Sequence, residues 1–330
     1  MKEALLEKIQ GEFPICQRPF AKLGQELGAS EEEVLELYRD LVNEGIIRQT
    51  SAIFDTKSLG YDSSLVAFKT DDIEKAAAFI NTHPGVSHNY ERDHDFNLWF
   101  TIATPPDSTL GLQKTVEILA ERTGAKEYIL LPTKKMFKIK VQLSMQGATT
   151  KKEKVEEKKR ERFALEPLHI ELIKALQENI EPVPEPFAQV VESLGIDYET
   201  LQKEAERLKR GGYMRRFATI LRHRKAGFKA NAMVVWRVDE TKAEELGKKV
   251  AAFKAVSHCY LRPTYPNWPY ALFSMIHGKS KEEVEAVVEE IAKEIEPLEF
   301  RYLYSTREFK KQRIKYFSDA FYEWERCYGG

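Results

Sequence analysis

The feature that most constrains this chain is that it states nearly the same pattern twice. Val86-Ser87-His88-Asn89-Tyr90-Glu91-Arg92 returns as Val256-Ser257-His258-Cys259-Tyr260-Leu261-Arg262, displaced by 170 residues, with Ser, His, Tyr and Arg at identical spacing. Upstream, Pro19-Phe20-Ala21 and Gly28 return as Pro186-Phe187-Ala188 and Gly195, and Gly60 returns as Gly227, all displaced by 167 residues. The drift between the two displacements is a loop difference. A repeat of this length far exceeds the roughly 20 to 50 residues of a solenoid unit. Each copy is therefore expected to hold its own core, and the pair to form a covalent pseudo-dimer.

Each copy opens with three helical patterns. In the first, Ala4 to Ile9 starts one, Phe20 to Leu27 forms a second stopped by Gly28, and Ser30 caps a third that runs to Glu44, with Glu33 placed to complete a capping box. A strand pair around Ile46 to Phe54 then makes a winged helix-turn-helix, repeated from His169 to Gly211 with its wing at Tyr213 to Arg222. After each wing the hydrophobic period changes to two and alternates with helices. Ser64–Lys69, Asp72–Asn81, Val86–Arg92, Asn97–Ala103, Thr109–Arg122 and Glu127–Leu131 read as strand, helix, strand, strand, helix, strand, and the second copy repeats this order from Asn231 to Tyr304. Ser280 and Glu283 spell another capping box, and Phe317 to Tyr328 reads as a helix docked on the body.

The expected fold class is α+β, a tandem duplication of winged helix-turn-helix plus ferredoxin-like βαββαβ modules. The expected domains are 1–60 and 61–147 in the first copy, a charged linker at 148–164, and 165–226 and 227–330 in the second, the last ending in the helix. The linker reading rests on Thr149 to Arg162, where seven Lys or Arg mix with four Glu.

Composition excludes several classes. The 51 Lys plus Arg nearly cancel 52 Asp plus Glu, so no global field recruits nucleic acid or a membrane. Cys16, Cys259 and Cys327 are scattered without a C-x-x-C pair, which argues against a disulfide framework, a zinc site or an iron-sulfur cluster. Nothing approaches the roughly 18 consecutive apolar residues of a membrane span, and no signal sequence opens the chain. The reading is a cytoplasmic protein with no membrane partner. Nor do the helix-turn-helix segments read as DNA binders. The helix from Ser30 to Glu44 sets six acids against Arg39 alone, a net charge of minus five. The one from Asp197 to Arg210 is neutral, with its bases at the end opposite to the usual insertion. No specific DNA partner is expected.

On a strand, alternate residues share a face, so His88, Tyr90, Arg92 and, if the strand continues, His94 project together, as do His258, Tyr260 and Arg262. Two such faces meeting across a pseudo-two-fold would make one pocket of imidazoles, phenols and guanidiniums, suited to a large flat polyanion. The hairpins then diverge. Asn97-Leu98-Trp99-Phe100 aligns with Ala271-Leu272-Phe273-Ser274 at a displacement of 174 residues, which lengthens the second turn and inserts Trp268 there. His94 has no His counterpart, and His277 stands where the first copy has Ala103. Trp99 and Trp268 are candidates to stack on a macrocycle, with a core role weighing equally for Trp99.

The winged helix plus βαββαβ unit resembles the Lrp/AsnC family. The strings from Ser87 to His94 with Asn97-Leu98-Trp99-Phe100, and Ser257-His258-Cys259-Tyr260 with Arg262-Pro263 and Trp268-Pro269-Tyr270, resemble the siroheme decarboxylase family, in a form that fuses its two related subunits. Ala271 departs from the Asn expected there. The resemblance implies loss of carbon dioxide from the two acetates on rings C and D of siroheme, giving 12,18-didecarboxysiroheme, with no cofactor beyond the iron that siroheme carries. It makes His94, His258 and then His88 the candidates for proton transfer, His258 also a candidate axial ligand to the substrate iron. Arg92 and Arg262, helped by Arg48, Arg215 and Arg216, would clamp peripheral carboxylates. Partners would be siroheme or a related iron tetrapyrrole and, as a candidate, further copies of the chain. The competing readings are a haem- or amino-acid-responsive Lrp/AsnC-type regulator and a tetrapyrrole carrier.

Overall fold

The computed structural model describes residues 1–139, 161–222 and 230–329. The charged stretch from Thr149 falls almost wholly outside them, as does Gly227. The first copy runs α1 (Lys2–Gly11), α2 (Pro19–Leu27), α3 (Glu31–Asn43), β1 (Ile47–Phe54), β2 (Asp62–Lys69), α4 (Ile73–Ile80), β3 (Val86–Arg92), β4 (Leu98–Thr104), α5 (Gly111–Thr123), β5 (Glu127–Pro132) and β6 (Lys135–Ile139). The second runs α6 (Pro167–Leu176), α7 (Ala188–Leu194), α8 (Tyr198–Arg210), β7 (Met214–Leu221), β8 (Ala230–Arg237), α9 (Ala243–Ala252), β9 (Val256–Leu261), β10 (Leu272–Gly278), α10 (Lys281–Ile295), β11 (Glu299–Leu303), β12 (Ser305–Lys311) and α11 (Ala320–Tyr328).

The helix ends follow from local chemistry. Ser30 Oγ accepts the Glu33 N–H at 3.2 Å while the Glu33 carboxylate accepts the Ser30 N–H at 2.8 Å, a complete capping box for α3 that contributes about 1 kcal/mol. Gly28 and Gly195 close α2 and α7 at φ of 69° and 62°, where a side chain would be strained. At α10 only half of the expected box forms. Ser280 accepts the Glu283 N–H, but the Glu283 carboxylate accepts from Lys279 N–H instead.

The copies do not fold separately. One compact unit takes residues 1–60, the described part of 158–226, and 315–318, so it gathers both helix-turn-helix segments; the other gathers both βαββαβ modules. Among the described residues of the first unit neither copy closes a wing of its own, contrary to expectation. Instead β1 pairs antiparallel with β7 along their length, and Thr50 and Thr219 join hydroxyls at 2.6 Å in its buried centre. A single apolar strand cannot satisfy its edge alone, and the other copy supplies the matching one.

The second unit contains two five-stranded sheets, in the orders β12-β3-β4-β2-β5 and β11-β8-β10-β9-β6. Each sheet has four strands from one copy and one from the other: β12 borders β3, and β6 borders β9. The exchanged strands are clipped in the same way, Lys310 Nζ donating to Asn81 O at 2.9 Å and Lys138 Nζ to Phe253 O at 2.8 Å. Helices α4 and α5 cover one face of the first sheet through Ala76, Ile80, Val116 and Leu119, and α9 and α10 cover the second through Val250, Val287, Val288 and Ile291. The bare faces meet in a third core, with Leu65, Ala67, Trp99 and Leu131 from one copy against Val235, Trp268, Phe273 and Leu303 from the other. The C-terminal helix α11 packs on the first copy's module, where Trp324 joins its core. Each βαββαβ module thus has a helix-covered core drawn almost wholly from its own copy, and a third core is shared between the copies.

Candidate functional site

The strands carrying His88 and His258 are irregular at the same place. Against β4, Val86 pairs with Ile102 and His88 with Thr101; against β10, Val256 pairs with Ile276 and His258 with Met275. Ser87 and Ser257 are the extra residues of two bulges. A bulge re-aims side chains, and its effect is visible in what each face buries. Val86 packs in the helix-covered core, and Asn89 on the same face donates to Ala77 O and Asn81 Oδ1. Val256 and Cys259 do the same in the second copy. His88, Tyr90 and Arg92 are thereby turned to the opposite face, and His258, Tyr260 and Arg262 likewise.

The bulge also brings each serine hydroxyl to its neighbouring imidazole. Ser87 Oγ lies 2.9 Å from His88 Nδ1 and 2.7 Å from Thr101 Oγ1. Ser257 Oγ lies 2.7 Å from His258 Nδ1 and 2.7 Å from His277 Nε2. Each imidazole stands 6.1 Å from the tyrosine two residues on, Tyr90 or Tyr260. The arginine two residues further sits over that tyrosine ring, at 5.6 Å for Arg92 and 4.9 Å for Arg262. His88, Tyr90, His258 and Tyr260 are half-buried.

The two stations do not make one pocket. Only Tyr304 separates β11 from β12, so the β11 edge of one sheet adjoins the β12 edge of the other, beside β3; the short β5 to β6 link puts the other two edges together, beside β9. His88 and His258 therefore occupy opposite flanks of the sandwich, and the middle is filled by the shared core. Neither metal clusters of three or more His, Cys, Asp or Glu nor a membrane-crossing helix occurs among the described residues.

Arg92 and Arg262, the expected carboxylate clamps, are nearly buried and bridge the copies. They are 7% and 8% exposed, and each reaches across to a carbonyl of the other copy, Arg92 to Leu303 O at 2.5 Å and Arg262 to Leu131 O. Burial pushes both guanidiniums down to about 10, still charged at neutral pH. They staple the sheets together. Trp99 and Trp268 are 1% exposed in the shared core, 5.1 Å apart, and Trp99 Nε1 donates to Phe96 O at 2.6 Å. Their surroundings are those of core residues, not of a stacking platform.

His94 lies off the strand face. β3 stops at Arg92, and His94 sits in the turn, half-buried and edge-on to Trp268 at 5.4 Å. Its Nδ1 accepts the Phe96 N–H at 3.0 Å, which puts the ring proton of the neutral form on Nε2. Burial and then the Arg301 charge hold its pKa below the usual histidine value, against the opposing pull of Asp95 and Asp93.

The remaining arginines belong to the helix-turn-helix unit. Arg215 is committed to Asp55 at 2.9 Å. Burial alone would raise the Asp55 carboxyl, but Arg215 and the Ser58 N–H overcome it and lower it. Arg216 is half-buried, and burial lowers its pKa, whereas Arg48 is exposed. A groove of about 470 Å³ in this unit, lined by Lys8, Phe13, Leu23 and Lys209 among others, includes none of the predicted site residues. Sequence reasoning missed the serines as hydroxyl partners and missed Lys138 and Lys310 as clips. The repeated Phe-Lys at 137–138 and 309–310 was the available signal for the lysines.

Comparison with known proteins fits this architecture. The AsnC-like ligand binding domain matches residues 58–138 and 225–310, and the siroheme decarboxylase NirDL-like HTH domain matches residues 2–48. The siroheme decarboxylase of Hydrogenobacter thermophilus is 42% identical over 324 residues, 98% of this chain and 96% of that one. The siroheme decarboxylase beta subunit of Oleidesulfovibrio alaskensis is 38% identical over 147 residues, 44% of this chain and 93% of the subunit. Among solved structures, the siroheme decarboxylase NirDL in co-complex with an iron-uroporphyrin III analogue superposes with a TM-score of 0.78 at 38% identity, covering 98% of this chain and 97% of that chain. With matches that run end to end and a sheet exchange that needs both copies, the chain belongs to the siroheme decarboxylase family of carboxy-lyases, in the fused NirDL-type form.

Proposed function

We propose that this chain removes carbon dioxide from the acetates on rings C and D of siroheme, giving 12,18-didecarboxysiroheme. The observation that carries the reading is the pair of serine-held imidazoles, His88 and His258, in a chain whose siroheme decarboxylase relative matches it over 98% of its length. Loss of carbon dioxide leaves an electron pair on a methylene carbon beside a conjugated macrocycle that delocalises it. A proton must then reach that carbon, and imidazole is the side chain matched to this transfer near neutral pH.

His258 is assigned proton delivery, with His88 as its counterpart on the other flank. His94, whose Nδ1 accepts the Phe96 N–H, is assigned hydrogen-bond donation from Nε2 to a substrate carboxylate. Tyr90 and Tyr260 border the imidazoles and would line the macrocycle. Siroheme brings its own iron, so the proposal adds no cofactor. It includes no specific DNA, because α3 would carry its acids against phosphate. Anaerobic incubation with siroheme followed by mass analysis of the pigment tests it. Loss of two carbon dioxide masses is expected, and an unchanged pigment would overturn the proposal.

A further inference from the structure

The serine of the second station touches two imidazoles, where that of the first touches one. Ser257 Oγ lies 2.7 Å from His258 Nδ1, 2.7 Å from His277 Nε2 and 3.3 Å from Met275 O. In the first copy the position of His277 is Ala103, that of Met275 is Thr101, and the serine's second partner is the Thr101 hydroxyl. Ser257 is 4% exposed, so water competes little for its hydroxyl.

A hydroxyl carries one proton, while a neutral imidazole offers one N–H and one lone pair. If Ser257 donates to His258 Nδ1, then His277 must present its Nε2–H to Ser257; if Ser257 donates to His277, then His258 must present Nδ1–H. In either arrangement along this line the protons of the two rings are tied through a single oxygen. The hydroxyl pair Ser87 and Thr101 creates no such tie, because it joins His88 to no second imidazole.

We propose that Ser257 and His277 form a proton line that recharges His258, a role resting on the reading above that His258 protonates the decarboxylated carbon. The carbon–carbon bond to the carboxylate breaks, carbon dioxide leaves, and the electron pair stays on the methylene carbon. The His258 Nε2–H bond breaks towards that carbon and a methyl group forms. The Ser257 proton moves to His258 Nδ1, the Nε2 proton of His277 replaces it on Oγ, and solvent protonates His277 Nδ1 in the same step, so every ring stays neutral. One proton leaves His277, one C–H bond forms, and no oxidant or reductant is needed. His277 is half-buried, so solvent restores its proton. It acts through Ser257 as a positioning and relay residue.

The test uses the full chain with siroheme under anaerobic conditions. His277→Ala should slow decarboxylation by at least about tenfold with siroheme affinity held within about twofold, and added imidazole should restore the rate. His277→Gln keeps an amide N–H for Ser257 but cannot pass a proton on, so it should be as slow as the alanine variant. A wild-type rate in either variant overturns the line. Ring ¹⁵N spectra of the substrate-free protein give a readout independent of turnover: Ser257→Ala should change the tautomer signals of both His258 and His277. A change confined to one ring overturns the coupling. Coupled rings in a wild-type chain that leaves siroheme intact would reject the functional reading while keeping the line.

Discussion

The two flanks of the sheet sandwich are built from one strand pattern and differ in what has been placed around it. The bulge, the serine-held imidazole, the tyrosine and the cross-copy arginine recur on both. Around them, Thr101 faces Met275, Ala103 faces His277, His83 faces Phe253, Asn97 faces Ala271, and the short turn with His94 faces a longer one with Trp268. Of the repeated elements, the arginine staple, like the exchanged strand, joins each sheet to the other copy. The unequal positions are neighbours of the imidazoles and turns, which the exchange does not require. Duplication has fixed the scaffold and left the chemistry of each flank free to differ.

The sharpest way to break that comparison is to remove one imidazole at a time. His258→Ala and His94→Ala should each reduce the rate of siroheme decarboxylation by about a hundredfold or more, the scale of lost acid–base catalysis, and His88→Ala by less. Initial rates with unfolding midpoints alongside decide it. Equal losses at His88 and His258 would mean that the flanks are chemically equivalent and that His277 adds nothing.

The arginines sharpen the opposite side of the comparison, where the flanks should behave alike. Arg92→Met or Arg262→Met fills the space yet leaves Leu303 O or Leu131 O without its donor. Each variant should lose about 1 to 3 kcal/mol in chemical denaturation, the cost of an orphaned buried carbonyl, with siroheme affinity unchanged. A tenfold loss of affinity without a loss of stability would restore these side chains to the role of carboxylate clamps.

His83 gives a pH signature to one copy alone. Burial holds its imidazole down at about 3, with Lys310 adding to the effect. Its Nδ1 accepts the Gly85 N–H at 3.0 Å and its ring meets Trp324 at 4.6 Å. Unfolded, the same group protonates near 6.5, so between those values the unfolded chain binds the extra proton. Stability from this group is complete above pH 6.5 and is lost as pH falls towards 3, by about 1.4 kcal/mol per pH unit. His83→Phe, which copies Phe253, should cost about 1 kcal/mol at neutral pH for the unpaired Gly85 N–H and flatten the acid limb. An acid limb as steep as that of wild type would assign the pH dependence to other groups.

How much of this was legible in the sequence follows from what each feature needs in order to form. The helix-turn-helix helices and the six βαββαβ elements of each module are encoded locally, in caps such as Ser30 and in the period of residues such as Val66, Phe68, Leu98 and Phe100. The exchanged strands were not legible. Lys135–Ile139 and Ser305–Lys311 are short and basic, and each exists because its partner belongs to the other copy. The shared face of His88, Tyr90 and Arg92 could be read from alternation, whereas the bulge at Ser87 that gives His88 a hydroxyl could not. The burial of Arg92 and Arg262 was not legible, since nothing in their strands marks which charged end will be covered by the second sheet. His277 stood out as a mismatch with Ala103, but its contact with Ser257 runs between neighbouring strands and needed the fold.

The smallest expected effect concerns the turn residue that the two copies do not share. Asn97 clamps the end of β2, its Nδ2 donating to Thr70 O at 2.8 Å and its Oδ1 accepting the Thr70 N–H at 3.1 Å. Ala271 stands at that place in the second copy and offers only its backbone, whose N–H donates to Trp236 O at 3.1 Å. Asn97 is half-buried, so water replaces part of what truncation removes. Asn97→Ala should therefore cost about 1 kcal/mol, and Ala271→Asn should gain nothing, because Ala271 is 2% exposed and a polar side chain there must find partners within the core. Denaturant titrations of both variants measure this directly. A gain in stability from Ala271→Asn would show that the second flank retains the acceptor and donor that the first uses, and that its alanine is a departure in sequence without one in structure.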